Sequence, residues 1–413
     1  MVEKSDIVIV GGGVIGAGIA YELSCQNDLS ITLLDIKKPG NASQASAGGL
    51  WPIGESVGLG CGVIYSRTLS KDDCGGCQAA PAARRPAQLP SCFFDPSLMS
   101  NALFPPLHRR LLAQTGIDFK LQETGLKFII FDQEDQRFAE SIYDSIPHLH
   151  SQAVWLDQRD LRRNEPYVAD TALGALEFTR DHQVNPYLLM QAYLSGARKQ
   201  GVRYINEEVV SIEARHRRVK SVTTRNHVVC CDTLINAAGA WAGHLGEMLG
   251  LAIPIVPIKG QILLTEKLPS VLRSCLSTND CYVAQMDNCE VLFGSTTEEA
   301  GFDTAVDLSA IRRLAEGAMR AVPALGNMNC KRSWAGLRPG TPDELPILGR
   351  VPALEGYINA CGHFRTGILL SAVTANVISS VVRGTEPLID ITPFLLERES
   401  CQMPRKLAQH QYA

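Results

Sequence analysis

An α/β fold with a second, antiparallel sheet is what the sequence predicts, and three observations carry that expectation. A strand, a glycine turn and a helix open the chain and lead into a second strand. Strand-like runs alternate through the segment from about 255 to 335 before a single helix. A last block then ends in a helix whose start is glycine-rich. The first and third observations describe a mostly parallel sheet covered by helices, and the second describes a separate antiparallel layer.

Taken in chain order, SDIVIV is a short apolar run rich in Val and Ile, and VIGAGIAYELSC carries apolar residues at helical spacing. A second strand, SITLLD, ends at Asp35. HLHSQAVWLDQRDLRRNEPYV predicts a strand and a short helix, and VNPYLLMQAYLSGARKQG an amphipathic helix stopping at Gly201. VRYINEEVVSIEA and RRVKSVTTRNHVVCCDTLINAAG follow as a strand meander returning to the sheet. QILLTEK, CYVAQMD and EVLFGSTT are the strands of the antiparallel layer, and DLSAIRRLAEGAMRAV is its helix. The C-terminal block from WAGLRPG to SSVVRG closes back onto the first sheet. Residues 66 to 92 lose all periodicity to Pro, Ala, Gly and Arg, and are expected to form an exposed excursion.

The chain has 413 residues, 45% hydrophobic and 20% charged, with a formal net charge of -4. That is long enough for two domains or two interleaved substructures, and the composition is that of a globular protein. Without a basic excess to neutralise phosphates, nucleic acid is not an expected partner. Thirteen scattered cysteines and no secretory leader fit a reducing, cytosolic compartment. No run approaches the roughly 20 apolar residues of a membrane span.

Gly11, Gly13 and Gly16 form GxGxxG between the first strand and the first helix, and Asp35 closes the second strand. Each position has a duty: a tight turn, a close approach to a pyrophosphate, close helix packing, and a carboxylate for ribose hydroxyls. Val14 and Ile15 lie in the same turn. The agreement of strand, turn, helix, second strand and acidic residue identifies a Rossmann-type dinucleotide site. Asp35 disfavours the extra phosphate of NADP, because like charges would meet. For a flavin, a distant segment must hold the ring, and GHFRTGI (362 to 368) is a glycine-bracketed loop at a helix start that offers backbone N–H groups. The alternative reading of that loop is an ordinary helix N-terminus.

With these residues in hand, the chain resembles the FAD-dependent D-amino-acid oxidase and glycine oxidase superfamily over nearly its whole length. The matching blocks, in order, are DIVIVGGGVIGAGIAYEL, INAAGAWA, the IKGQ turn, WAGLRPGTPDELPILG and ACGHFRTGILLS. Within it, PGNASQASAGGLWPIGESVGLGCGVIY, GALEFTRDHQV and TNDCYVAQMDN are similar to the glycine-oxidising C subunits of hydrogen cyanide synthases. The resemblance implies a glutathione-reductase-like FAD domain (1–65, 145–255 and 335–395) interleaved with a smaller antiparallel substrate domain (93–144 and 256–334), leaving an excursion (66–92) and a tail (396–413).

It also implies a reaction: hydride transfer from the α-carbon of glycine to flavin N5, through an imine, to cyanide and carbon dioxide. Electrons would leave through partner subunits to a respiratory acceptor, in a complex peripheral to the cytoplasmic side of the cell membrane. A stand-alone glycine, sarcosine or D-amino-acid oxidase or dehydrogenase is the alternative, and a non-catalytic flavin-binding scaffold the second.

Site residues follow from the same resemblance. Arg338, in GLRPGTP, is the expected carboxylate-binding arginine, since a planar guanidinium grips a carboxylate with two parallel bonds. Tyr282 is either a donor to the same carboxylate or half-buried strand packing. Gly362, His363, Phe364, Arg365, Thr366, Gly367 and Ile368 are expected flavin contacts, with Arg365 either placing positive charge near the ring or serving a structural ion pair. Ala237, Ala238 and Gly239 admit backbone to the adenosine half, and Val209 the adenine. Ser46, Ala47, Gly48 and Gly49, in ASAGG, approach the pyrophosphate and ring edge. With no His or Cys in ASAGG, FAD is expected to be non-covalent. Cys74 and Cys77, with Cys61 and Cys92 nearby, are spaced irregularly, and no metal is expected. Trp51 and Trp241 are expected to be packing, and Glu55, Gly58 and Gly60 have no assigned duty.

Overall fold

The structure, a computed structural model, describes residues 2–59 and 89–402. Residues 60–88 lie outside the described residues, and with them Cys61, Cys74, Cys77 and most of the expected excursion; so does the tail beyond residue 402.

The chain opens with β1 (Val2–Val10), α1 (Val14–Ser24) and β2 (Ile31–Leu34). Two short helices, α2 (Ala42–Ala45) and α3 (Pro52–Ser56), flank β3 (Gly49–Leu50). Then come α4 (Phe94–Thr115), β4 (Leu126–Ile130), α5 (Gln133–Ser145), β5 (Ala153–Asp157), α6 (Gln158–Asn164), β6 (Gly174–Phe178), β7 (His182–Gln183) and α7 (Pro186–Lys199). A meander β8 (Arg203–Ile205), β9 (Val209–Arg215), β10 (Arg218–Thr224) and β11 (Val228–Asn236) leads to α8 (Ala242–Glu247). The second half holds β12 (Val256–Lys267), β13 (Cys275–Ser277), β14 (Tyr282–Gln285), β15 (Glu290–Gly294) and α9 (Leu308–Ala321). It closes with β16 (Cys330–Gly340), β17 (Ile347–Arg350), β18 (Tyr357–Cys361) and α10 (Gly367–Arg383).

The first sheet has the order β17-β18-β11-β1-β2-β8, with β10 and β9 branching from β11. From β18 to β8 its pairs are parallel, and β17 runs antiparallel at the edge. Parallel strands must be covered on both faces, which is why β1 reads as an unbroken apolar run from Ile7 to Val10 rather than an alternating one. α1, α4, α7 and α10 bury their apolar faces together on one side, around Tyr21, Phe104, Tyr193 and Ile378. Gly196 makes room for the Tyr21 ring, where a Cβ would stand 2.7 Å away. On the other side β9, β10 and α8 cover the sheet.

The second sheet has the order β16-β12-β15-β14-β13-β4-β6-β5 and is antiparallel except where β13 runs beside β4. α9 buries Ala310, Leu314, Ala318 and Ala321, one helical stripe, in the core under this sheet. Asp307 caps it, accepting from the Ala310 N–H at 2.8 Å.

Three expectations differ from the structure. β6 pairs with β4, and β5 with β6, in the second sheet, although the expected division puts 145–255 in the first domain, because a run of strand followed by short helix carries no mark of which sheet it joins. α4 packs in the core of the first sheet, although 93–144 was assigned to the second. IKGQ is not a turn: Ile258 to Gln261 lie inside β12, paired with β16.

Candidate functional site

The two sheets meet over a cleft of about 300 Å³. Its floor is the carboxyl edge of the first sheet, and its far wall is the β16-β12-β15-β14 part of the second.

At the near end, Gly11 has φ +108°, and a Cβ there would stand 2.2 Å from the Ala237 carbonyl oxygen, so only glycine fits between β1 and the residues after β11. Gly16 plays the packing part of the fingerprint: its Cβ would overlap the Gly11 carbonyl, and it does not line the cleft. Gly13, Val14 and Ile15 do line it, at the N-terminus of α1, where N–H groups without a partner inside the helix and the helix dipole favour an anion. Ser43 completes this corner by accepting from the Val14 N–H at 2.9 Å. Asp35 follows at the end of β2, with the Tyr204 hydroxyl 3.4 Å from its carboxylate. Val209, Ala238 and Gly239 also line this end, beside Trp241, His244 and Met248.

Ser46, Ala47 and Gly49 line the middle, but Gly48 does not. Its φ of +85° turns the chain against Val184, whose carbonyl oxygen would be 1.9 Å from a Cβ. Beyond it Glu55 reaches the cleft from α3.

From the other direction comes the loop before α10. Gly362 and Phe364 have φ of +76° and +46°, and the Phe364 N–H donates to the Pro339 carbonyl at 3.0 Å. This turn brings Gly362, His363, Phe364 and Arg365 into the cleft, with Gly367 and Ile368 of the helix N-terminus behind them. Thr366 does not line it; its hydroxyl donates to the His363 carbonyl at 2.9 Å. The His363 ring is buried and lies 3.0 Å from the Thr374 hydroxyl, and burial pushes its pKa down to about 3, so the imidazole is neutral. Arg365 is held by two carboxylates, Glu55 at 2.5 Å and Glu344 at 3.0 Å. That pair gives Glu55 the duty its sequence context lacked.

Arg338 and Tyr282 both line the far wall, from β16 and β14, which have two strands between them in the sheet order. The Arg338 guanidinium lies across Gly260 of β12, where a Cβ would be 2.2 Å from Nη1. It donates to the Thr296 carbonyl at 3.1 Å and the Ser295 hydroxyl at 2.5 Å. The Tyr282 hydroxyl lies over Gly294 of β15 in the same manner, 2.6 Å from where a Cβ would be. Two glycines on the intervening strands thus clear the space into which both polar groups project. Trp51 stands edge-on to Tyr282 at 5.5 Å, and Ile262 borders both.

Sequence reasoning missed Ser43, Gly260, Ile262 and the cleft positions of Trp51 and Trp241, which were expected to be packing. None carries a local signal: each depends on which strand or helix arrives opposite. Among the described residues no group of His, Cys, Asp and Glu is arranged to hold a metal ion, and no helix is long and apolar enough to cross a membrane.

The residues at the near end fit a dinucleotide: a helix N-terminus for phosphates, an acidic residue at the end of β2 and a glycine cradle that any Cβ would fill. The comparisons with known proteins agree. A family model described as FAD dependent oxidoreductase matches residues 6–380. The chain is 54% identical over 404 residues to the hydrogen cyanide synthase subunit HcnC of Pseudomonas protegens, covering 96% of this chain and 97% of that protein. It is 27% identical to the glycine oxidase of Bacillus subtilis, covering 94% and 95%. Among solved structures, glycine oxidase from Geobacillus kaustophilus superposes with a TM-score of 0.84 at 28% identity, over 96% of this chain and 99% of that one. From Gly11 at one end of the cleft to Ile368 at the other, this chain belongs to the FAD-dependent oxidoreductase family and binds FAD.

Proposed function

We propose that the chain is the glycine-oxidising subunit of a cyanide synthase, converting glycine through an imine to cyanide and carbon dioxide. The observation that carries this reading is the pairing of Arg338 with Tyr282 on one wall of the cofactor cleft, in a chain more than half identical to a cyanide synthase subunit along nearly its whole length. The overall conversion is a four-electron oxidation, so it takes two successive two-electron steps. FAD supplies the acceptor for each hydride, and partner subunits then carry the electrons to a respiratory acceptor at the cytoplasmic face of the membrane.

The chain's own residues bind and orient. Gly11, Gly13, Val14 and Ile15 hold the pyrophosphate without a covalent bond, Asp35 the ribose, and Val209, Ala238 and Gly239 the adenosine. Ser46, Ala47 and Gly49 border the ring from one side, and Gly362, His363, Phe364, Gly367 and Ile368 from the other. Arg338 grips the glycine carboxylate with its fork, and the Tyr282 hydroxyl donates to it, which fixes the α-carbon in one orientation. His363 does not accept the amine proton, because burial disfavours the imidazolium it would become and its ring is bonded to Thr374. Trp51, Tyr282 and Ile262 leave a wall suited to an amino acid with no side chain.

The test is to purify the chain with its partner subunits, add glycine, and measure cyanide against hydrogen peroxide. Cyanide release that Arg338→Lys lowers by about tenfold or more in kcat/KM is the expected result, since Lys keeps the charge and loses the fork. Rapid peroxide formation by the isolated chain overturns it in favour of a stand-alone oxidase. Full activity in Arg338→Ala overturns it in favour of a scaffold.

A further inference from the structure

Arg338 reaches the cleft on a long, flexible stem, yet both prongs of its fork are held by the protein. One terminal nitrogen donates to the Thr296 carbonyl at 3.1 Å and the other to the Ser295 hydroxyl at 2.5 Å. Acceptors on both prongs define the plane of the guanidinium, and each engages one of the two hydrogens its nitrogen carries. The two acceptors are consecutive residues directly after β15, whose last residue, Gly294, clears the space under the Tyr282 hydroxyl. Thr296 is anchored in turn, its hydroxyl accepting from the Gln261 N–H of β12 at 2.9 Å. Gln261 adjoins Gly260, across which the guanidinium lies. Residues 294 to 296 thus set the fork and the phenol relative to one another. Ser295 itself is 0% exposed and does not line the cleft.

We infer that Ser295 is a positioning residue for the substrate, holding the Arg338 fork in the plane that lets it and the Tyr282 hydroxyl reach one carboxylate. This inference rests on the glycine-oxidising reading given above. The chemistry of the acceptors says what the bond is for. Arg365, which ties two segments together, is held by the carboxylates of Glu55 and Glu344, and these neutralise it. Arg338 is oriented instead by a neutral hydroxyl and a neutral carbonyl. A neutral acceptor fixes a cation without cancelling its charge, so the guanidinium keeps its attraction for an arriving carboxylate. An arginine already held also loses less side-chain freedom when that carboxylate binds. The Thr296 acceptor belongs to the backbone, so Ser295 is the one that a side-chain substitution removes.

The experiment uses the FAD-loaded chain with acetate as an unreactive carboxylate, its binding followed by the perturbation of the flavin spectrum. Ser295→Ala removes the acceptor, and Ser295→Thr keeps it. The expected result is a Kd for acetate raised about tenfold in Ser295→Ala and by less in Ser295→Thr, with FAD content unchanged. In an Arg338→Met background the serine change should add less than about twofold, because it acts through the arginine. Equal Kd values in wild type and Ser295→Ala overturn the inference, as does a full additive loss in the Arg338→Met background. A Ser295→Ala chain that loads no FAD, or a loss in Ser295→Thr as large as in Ser295→Ala, assigns the serine to the fold and overturns it too. Failure of the parent reading looks different, because wild-type flavin would then respond to neither acetate nor glycine.

Discussion

Glu55 accepts a hydrogen bond from Arg365 at 2.5 Å, with both side chains less than a tenth exposed, and so joins the glycine-rich segment after β2 to the loop before α10. Glu344 holds the same guanidinium from a more exposed position. Removing the cation leaves a buried carboxylate uncompensated, so Arg365→Met is expected to cost about 3–5 kcal/mol. Glu344→Gln, which leaves the inner pair intact, costs less. Urea denaturation of the FAD-loaded protein ranks the two, and an equal or reversed ranking means that the inner pair is not the stronger anchor.

Gly260→Ala places a methyl group 2.2 Å from the Arg338 guanidinium without touching the arginine itself. It is expected to behave like Arg338→Lys, with KM for glycine up by about tenfold or more and FAD retained. Steady-state kinetics with a flavin count per chain would expose a different outcome, such as lost cofactor.

Gly11→Ala meets both a positive φ and the Ala237 carbonyl. Purified protein should carry little FAD while keeping its far-ultraviolet circular dichroism. Full FAD occupancy in this variant would mean that the turn tolerates a side chain after all.

Asp181 is buried below α3, accepting from the N–H groups of Ile53 at 3.0 Å and Gly54 at 2.7 Å. Burial pushes its carboxyl up to about 8 against those two bonds, with Glu55 adding to the rise. An acid whose folded pKa lies above its unfolded value binds more protons when folded, so the stability it contributes is full below about pH 4 and is lost as pH rises through 8. Tm measured across that range should fall, and the fall should be smaller in Asp181→Asn. Parallel curves for the two proteins would assign the titration elsewhere.

The near end of the cleft was legible because its duties are local: Gly11, Gly16 and Asp35 sit at fixed steps along one strand, turn, helix and strand. The strands of the second sheet from β12 to β15 were legible for the same reason, as alternating runs. The sheet that β5 and β6 join was not, since pairing partners are set by residues far away in sequence. Glu55 shows the same limit at the site, for its partner lies 310 positions further on. Gly260 and Gly294 have meaning only once Arg338 and Tyr282 arrive above them from other strands.

β1 and β2 build one sheet, β4 to β6 the other, β8 to β11 return to the first, β12 to β16 to the second, and β17 and β18 finish the first. Neither sheet therefore exists as a contiguous stretch that could be expressed, swapped or evolved as a module. Melting one withdraws strands from between the ends of the other, so heat or denaturant should take the pair apart in a single cooperative transition. The walls of the cleft are tied to each other at every crossing of the chain between the two sheets.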